Sequence, residues 1–142
     1  MGPVSYDNDP ALLSLEGVRV LMYHGRSIDD IIGLIPSASY SRPEEMMVEM
    51  LERRHLAPVY GRRTPVSPEP KDRLLIDPVP EILHTGHVHT SGITRYRGVL
   101  GVNAGCWQGQ TKFQKQVNIT PPPGRAVIVA LQTLEPKVME FA

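Results

Sequence analysis

Cysteine, aromatic residues and long apolar runs are all scarce in this chain. Cys106 is the single cysteine among 142 residues, so no disulfide can form within the chain. One Trp, two Phe and five Tyr leave most of the core to Val, Ile, Leu and Met. The longest apolar runs, such as residues 127–131, are far shorter than the roughly 20 residues that cross a bilayer. No signal-peptide pattern opens the sequence. These absences predict a soluble cytoplasmic protein that has no membrane partner.

An excess of positive charge is also missing. Lys and Arg together number 15, and so do Asp and Glu, so the composition does not predict a protein that holds nucleic acid mainly by charge. An enzyme that meets phosphate through metal ions is compatible with this balance. The length suits one domain built around one core.

The first part of the chain has a strand-turn-helix pattern. Residues 17–23 are an apolar, β-branched run, which predicts a buried strand that ends at His24. Ser27 with Asp30 three residues later is typical of a capped helix start, and this helix is expected to end before Pro36. A second helix is predicted to follow Ser41 as its cap, with an apolar face rich in methionine.

The remaining pattern is mostly β. Six prolines between residues 57 and 80 predict an ordered loop around one short strand at 74–76. Further strands are predicted at residues 82–83, 93–96, 99–103, 125–131 and 138–141. The order of these segments predicts an α/β fold.

Three of the five histidines, His84, His87 and His89, lie within residues 84–89. In a strand, His87 and His89 would point to the same side, whereas in a loop after Gly86 they could diverge toward two neighbouring metals. Imidazole suits Mn, Fe, Zn and Ni better than Mg or Ca. A plain surface or structural role is an alternative, and so is a zinc centre of the carbonic-anhydrase kind that uses all three histidines.

His24 adds a histidine at the end of the first predicted strand, where a buried structural role is again the alternative. A strand-end His followed much later by Gly-His-x-His resembles the C-terminal half of the calcineurin-like metallophosphoesterase pattern. The resemblance implies the C-terminal half of a sandwich of two β-sheets flanked by helices. The first half of that pattern, Asp-x-His, Gly-Asp and Gly-Asn-His, has no counterpart in this sequence. The site is therefore expected to be incomplete.

Longer phrases resemble the small, exonuclease-type subunit of archaeal family D DNA polymerases. These phrases are residues 21–30, 53–61, 84–89, 102–115 and 117–123. The likeness runs from roughly residue 12 to residue 131. We therefore expect residues 1–142 to form a single partial domain, with residues 1–11 as an N-terminal extension.

The resemblance also implies a metal site and its partners. Two divalent metal ions are expected, manganese first, with iron, zinc or nickel as alternatives. His24 and His87 would hold one ion and His89 the other, and no residue of this chain is assigned a catalytic role. Arg26 and His84 are weaker candidates for substrate contact. The implied partners are the large catalytic polymerase subunit, the missing N-terminal half of the same subunit and a DNA 3′ end.

Two functions compete at this point. The first is part of a two-metal 3′–5′ proofreading exonuclease that is incomplete and inactive alone. The second is a non-catalytic scaffold that binds the large subunit. The presence of His24, His87 and His89 favours the first, because a scaffold needs no such set of ligands. A phosphoesterase that acts on small molecules is disfavoured by the phrases at 53–61 and after 102.

Overall fold

A computed structural model describes residues 8–116 and 118–141, apart from the side chain of Phe113. The described strands are β1 (Ala11–Leu15), β2 (Val18–Tyr23), β3 (Ile82–Thr85), β4 (Gly92–Tyr96), β5 (Val99–Asn103), β6 (Arg125–Ala130) and β7 (Glu135–Glu140). The described helices are α1 (Ile28–Ile32), α2 (Pro43–Arg53) and α3 (Lys112–Gln116). This mixture of strands and helices confirms the predicted α/β class.

The larger sheet has five strands in the order β1-β2-β3-β5-β4. Strands β2, β3 and β5 run parallel, and the two edge strands are antiparallel to their neighbours. Strands β6 and β7 form a separate antiparallel pair. Residue registers pair Tyr23 with Thr85 and Thr85 with Asn103, so the three parallel strands end together at one edge.

Apolar side chains cover both faces of the larger sheet. On one face, Met46, Met47 and Met50 of α2 are almost completely buried in the cluster that contains Leu83. On the other face, side chains of β6 and of the turn that follows it pack against Val20, Ile82, Leu100 and Val102. Burial on both faces explains why apolar residues dominate the parallel strands. Within the described residues, no helix is long and apolar enough to cross a membrane.

Some predicted elements differ from the observed ones. Strand β1 was not predicted, and it is an edge strand whose Leu12 and Leu15 are both 46% exposed. Helix α3 was not predicted either. The strand predicted at 74–76 is wrong, because this segment makes one isolated bridge, between His55 and Leu75.

The structure confirms one predicted cap position and contradicts the other. Ser27 is the N-cap residue of α1, as predicted. The Ser27 hydroxyl makes no cap hydrogen bond and donates to the carbonyl of Leu56 instead. The Asp30 carboxylate accepts the backbone N–H groups of Arg63 and Thr64, each at 3.0 Å. Burial opposes the charge of Asp30, but these N–H groups outweigh it and lower the pKa of the carboxyl. Arg42, rather than Ser41, precedes α2. At Ser27 and Asp30, long-range partners have therefore taken the side chains that a local pattern assigned to the cap, whereas the Ser41 hydroxyl pairs with the nearby Ser39 hydroxyl.

An ion pair between Arg19 on β2 and Glu81 before β3 supplies a pH-dependent contact. The Arg19 N–H donates to Glu81 Oε2 at 2.7 Å, and its guanidinium Nη2 donates to Oε1 at 2.5 Å. These hydrogen bonds lower the pKa of Glu81 from 4.5 to about 2. A carboxyl whose pKa is lowered by folding stabilises the fold at pH values above its pKa in the unfolded chain. This stabilisation is lost as pH falls from about 4.5 toward 2.

We predict that Glu81→Gln lowers the urea midpoint modestly at pH 7 and that the deficit shrinks below pH 4.5. Urea titrations at pH 7, 4.5 and 3 measure this change. Glu135→Gln is the control, because Glu135 meets Arg95 at 3.2 Å on an exposed surface. A Glu81→Gln deficit that is the same at all three pH values would contradict the prediction.

Candidate metal centre at the ends of the parallel strands

The loops that follow β2 and β3 meet at the edge where the parallel strands end. His24 follows β2 directly, and His87 follows β3 after one glycine. The Gly86 N–H donates to the His24 carbonyl at 3.0 Å, which joins the two loops. Carboxyl ends of parallel strands are where open α/β sheets bind ligands.

Two backbone features let these loops approach closely. Gly25 has a φ of 98°, and a Cβ there would lie 3.2 Å from the Gly86 carbonyl oxygen. His87 has a φ of 62°, and the Val88 N–H donates across it to Gly86 O at 2.7 Å. A non-glycine residue in the left-handed region is uncommon, and such positions cluster at functional sites.

The rings of His24 and His87 present one nitrogen to each other. His24 Nε2 and His87 Nδ1 are 3.1 Å apart, with the ring planes inclined by 72°. Two nitrogens that each lie about 2.1 Å from one ion, at nearly a right angle, are about 3 Å apart. The observed separation therefore fits a pair of imidazole ligands to one transition-metal ion.

Asp29 contacts the other side of the His87 ring. Its Oδ2 lies 3.0 Å from His87 Nε2 and 4.0 Å from the Arg63 guanidinium. The pKa of Tyr40 is raised by burial first, and then by the charge of Asp29 and the hydrogen bond to it. Sequence reasoning did not single out Asp29 for this site. The one local signal for it is a carboxylate in the first turn of the helix that follows the candidate ligand His24.

His89 is the third predicted ligand. Its Nδ1 is buried and has no hydrogen-bond partner, as expected of a nitrogen available to a ligand. Among residues 8–116 and 118–141, no three His, Cys, Asp or Glu side chains converge as a metal-holding group. The alternative centre of three histidines, His84, His87 and His89, is therefore not formed. The predicted division, with His24 and His87 on one ion and His89 on another, stays a prediction.

Asn103, at the end of β5, holds the segment that carries His87 and His89. It is completely buried, and its Nδ2 donates to the carbonyls of Val88 at 2.8 Å and Thr90 at 2.7 Å. Its Oδ1 accepts the Thr85 hydroxyl at 2.8 Å. The sequence pattern marked Asn103 only as the end of a strand, because these partners are remote in sequence.

The two weaker candidates are Arg26, which lies close to His24 in the chain, and His84, which lies within the sheet. Arg26 is exposed two residues after His24. His84 is half-buried on β3, and burial lowers its pKa. Strand alternation directs His84 to the face of Ile82, opposite Leu83 and Thr85. A substrate role for either residue stays a prediction.

Comparisons with known proteins identify relatives over most of the chain. No protein-family model matches it. The DNA polymerase II small subunit of Archaeoglobus fulgidus is 55% identical over 125 residues, covering 88% of this chain and 26% of the relative. The small subunits of Methanothermobacter thermautotrophicus and Pyrococcus furiosus are 45% and 43% identical, covering 98% and 95% of this chain.

The chain spans about a quarter of the length of these relatives, since it covers 26%, 28% and 22% of them. The matched part includes nearly all the elements described above. Over most of its length, the chain therefore matches a segment of archaeal DNA polymerase II small subunits, which confirms the resemblance predicted from its sequence.

Proposed function

We propose that the chain forms one side of a two-metal phosphoesterase centre in the small subunit of an archaeal replicative DNA polymerase. The reaction is the removal of nucleotides from a DNA 3′ end, and the fold is part of a calcineurin-like sandwich. The supporting observation is the 3.1 Å approach of His24 Nε2 to His87 Nδ1 at the ends of parallel strands. The similarity to DNA polymerase II small subunits supports the polymerase assignment.

The donor set explains why such a centre needs residues beyond this segment. His24 and His87 would hold one ion, and His89, with its unpartnered Nδ1, would hold the other. Three neutral imidazoles cannot offset four positive charges, so carboxylates from another part of the subunit must complete the set. When bound, the two ions activate a water and stabilise the leaving oxygen of the phosphodiester. The exposed Arg26 would meet the phosphate.

A chimeric subunit tests this proposal. The chain replaces the matching segment of the Archaeoglobus fulgidus small subunit, and cleavage of 5′-labelled single-stranded DNA is followed in Mn²⁺. We expect cleavage from the 3′ end and a loss of more than about 100-fold in His24→Ala and in His87→Ala. His55→Ala is the matched control, because the His55 ring is hydrogen-bonded to Asp72 at 2.8 Å and forms no hydrogen bond with His24 or His87 among the described residues.

Two further measurements separate the alternatives. The 142-residue chain by itself is expected to show little or no nuclease activity in Mn²⁺. Robust cleavage by the chain alone would overturn the proposal that residues outside it complete the metal centre. Binding of the chimera to the large polymerase subunit is measured in parallel. An inert chimera that still binds the large subunit would favour the scaffold function.

A further inference from the structure

We infer that Asp29 is a positioning residue that orients the His87 ring and directs its metal-binding nitrogen toward His24. This inference rests on the proposed metal site. Asp29 lies in the first turn of α1, five residues after His24, and its carboxylate oxygen is 3.0 Å from His87 Nε2.

The contact decides which nitrogen of His87 can bind a metal. A carboxylate only accepts hydrogen bonds, so His87 Nε2 must carry the proton that it shares with Asp29. In the neutral ring, Nδ1 then has a free lone pair, and Nδ1 is the atom that lies 3.1 Å from His24 Nε2. Histidines that bind metals usually donate their second N–H to a carboxylate or carbonyl in this way.

Asp29 is itself held in place by its surroundings. Its side chain is 19% exposed, Tyr40 hydrogen-bonds to it, and the Arg63 guanidinium lies 4.0 Å away. The neighbouring Asp30 binds the backbone N–H groups of Arg63 and Thr64, which fixes that loop against α1. A carboxylate supported from several sides is suited to fix the angle of a ring.

A second His–Asp pair in the chain shows what a structural contact looks like. His55 Nε2 lies 2.8 Å from Asp72 Oδ2, a contact of the same kind. There, however, His55 Nδ1 accepts the Ala57 N–H at 3.0 Å, so both ring nitrogens have partners within the fold. At His87 both nitrogens also have partners, but the partner of the second one is another candidate ligand, His24 Nε2 at 3.1 Å. This difference assigns Asp29 to the metal site and Asp72 to the support of a loop.

The first test uses nuclear magnetic resonance on the metal-free 142-residue chain. Two-bond ¹H–¹⁵N correlations report which ring nitrogen carries a proton. We expect the neutral His87 ring to be protonated at Nε2, with an Nε2–H resonance that exchanges slowly in the native chain and is lost in Asp29→Ala. Protonation of His87 at Nδ1 in the native chain would overturn the inference.

The second test measures the affinity of the chimeric subunit for Mn²⁺. We expect Asp29→Ala to weaken binding by roughly 10- to 100-fold and Asp29→Glu to recover part of the loss. Asp72→Ala is the matched control and should leave Mn²⁺ affinity unchanged. Native affinity in Asp29→Ala, while His24→Ala and His87→Ala lose binding, would overturn this inference alone. Unchanged affinity in both histidine variants would overturn the proposed metal site as well.

Discussion

Replacing Asn103 with Asp is expected to destabilise the fold by roughly 3–5 kcal/mol at pH 7, the range seen when a buried charge is left uncompensated. The Asn103 amide is completely buried and donates to the carbonyls of Val88 and Thr90. An aspartate of the same shape cannot donate these hydrogen bonds when it is ionised. Its charge would face two carbonyl oxygens, and the only remaining donor in the network is the Thr85 hydroxyl. Urea unfolding of native and variant chains measures the loss.

The same substitution should disturb the candidate metal centre. Val88 and Thr90 flank His89, and Val88 follows His87, so their carbonyls set the path of the histidine segment. We therefore expect the Asn103→Asp chimera to lose Mn²⁺ affinity along with stability. Asn118→Asp is the matched control, because Asn118 is exposed and the change should stay within about 0.5 kcal/mol. A loss below about 1 kcal/mol for Asn103→Asp would show that the buried network contributes little.

Substituting Gly25 by Ala is expected to give the second large effect. The new Cβ would meet Gly86 O at 3.2 Å and Ile28 Cδ1 at 3.3 Å, in a backbone whose φ is 98°. The φ angle costs an L residue about 1–2 kcal/mol. Crowding in a packed region adds about 1–3 kcal/mol. The strain falls between the two loops that carry His24 and His87, so Mn²⁺ affinity should fall together with the urea midpoint.

Gly17→Ala separates the two causes. Gly17 has a similar φ of 84°, but a Cβ there has nothing within 4 Å. It should therefore show the backbone cost alone, without a change in Mn²⁺ affinity. Equal destabilisation in the two glycine variants would mean that the close approach of the Gly25 and Gly86 loops is not tightly packed.

Local sequence was sufficient for most of the secondary structure and for the candidate ligands. Apolar runs that are broken by Gly, Pro and charged residues depend on neighbours in the chain, so strands such as Val99–Asn103 and the methionine face of α2 were predicted correctly. Histidines at predicted strand ends are also visible locally. The family resemblance then implied that His24, His87 and His89 are the candidate ligands.

Tertiary structure decided how those residues meet. His24 and His87 are 63 positions apart, and the parallel register of β2 and β3 brings their nitrogens to 3.1 Å. The roles of Asp29 and Asn103 could not be predicted, because short polar side chains have local uses at helix starts and strand ends that the sequence favours equally. Only the folded structure determines which remote partners these side chains bind, since a buried polar group must be paired wherever its partner lies.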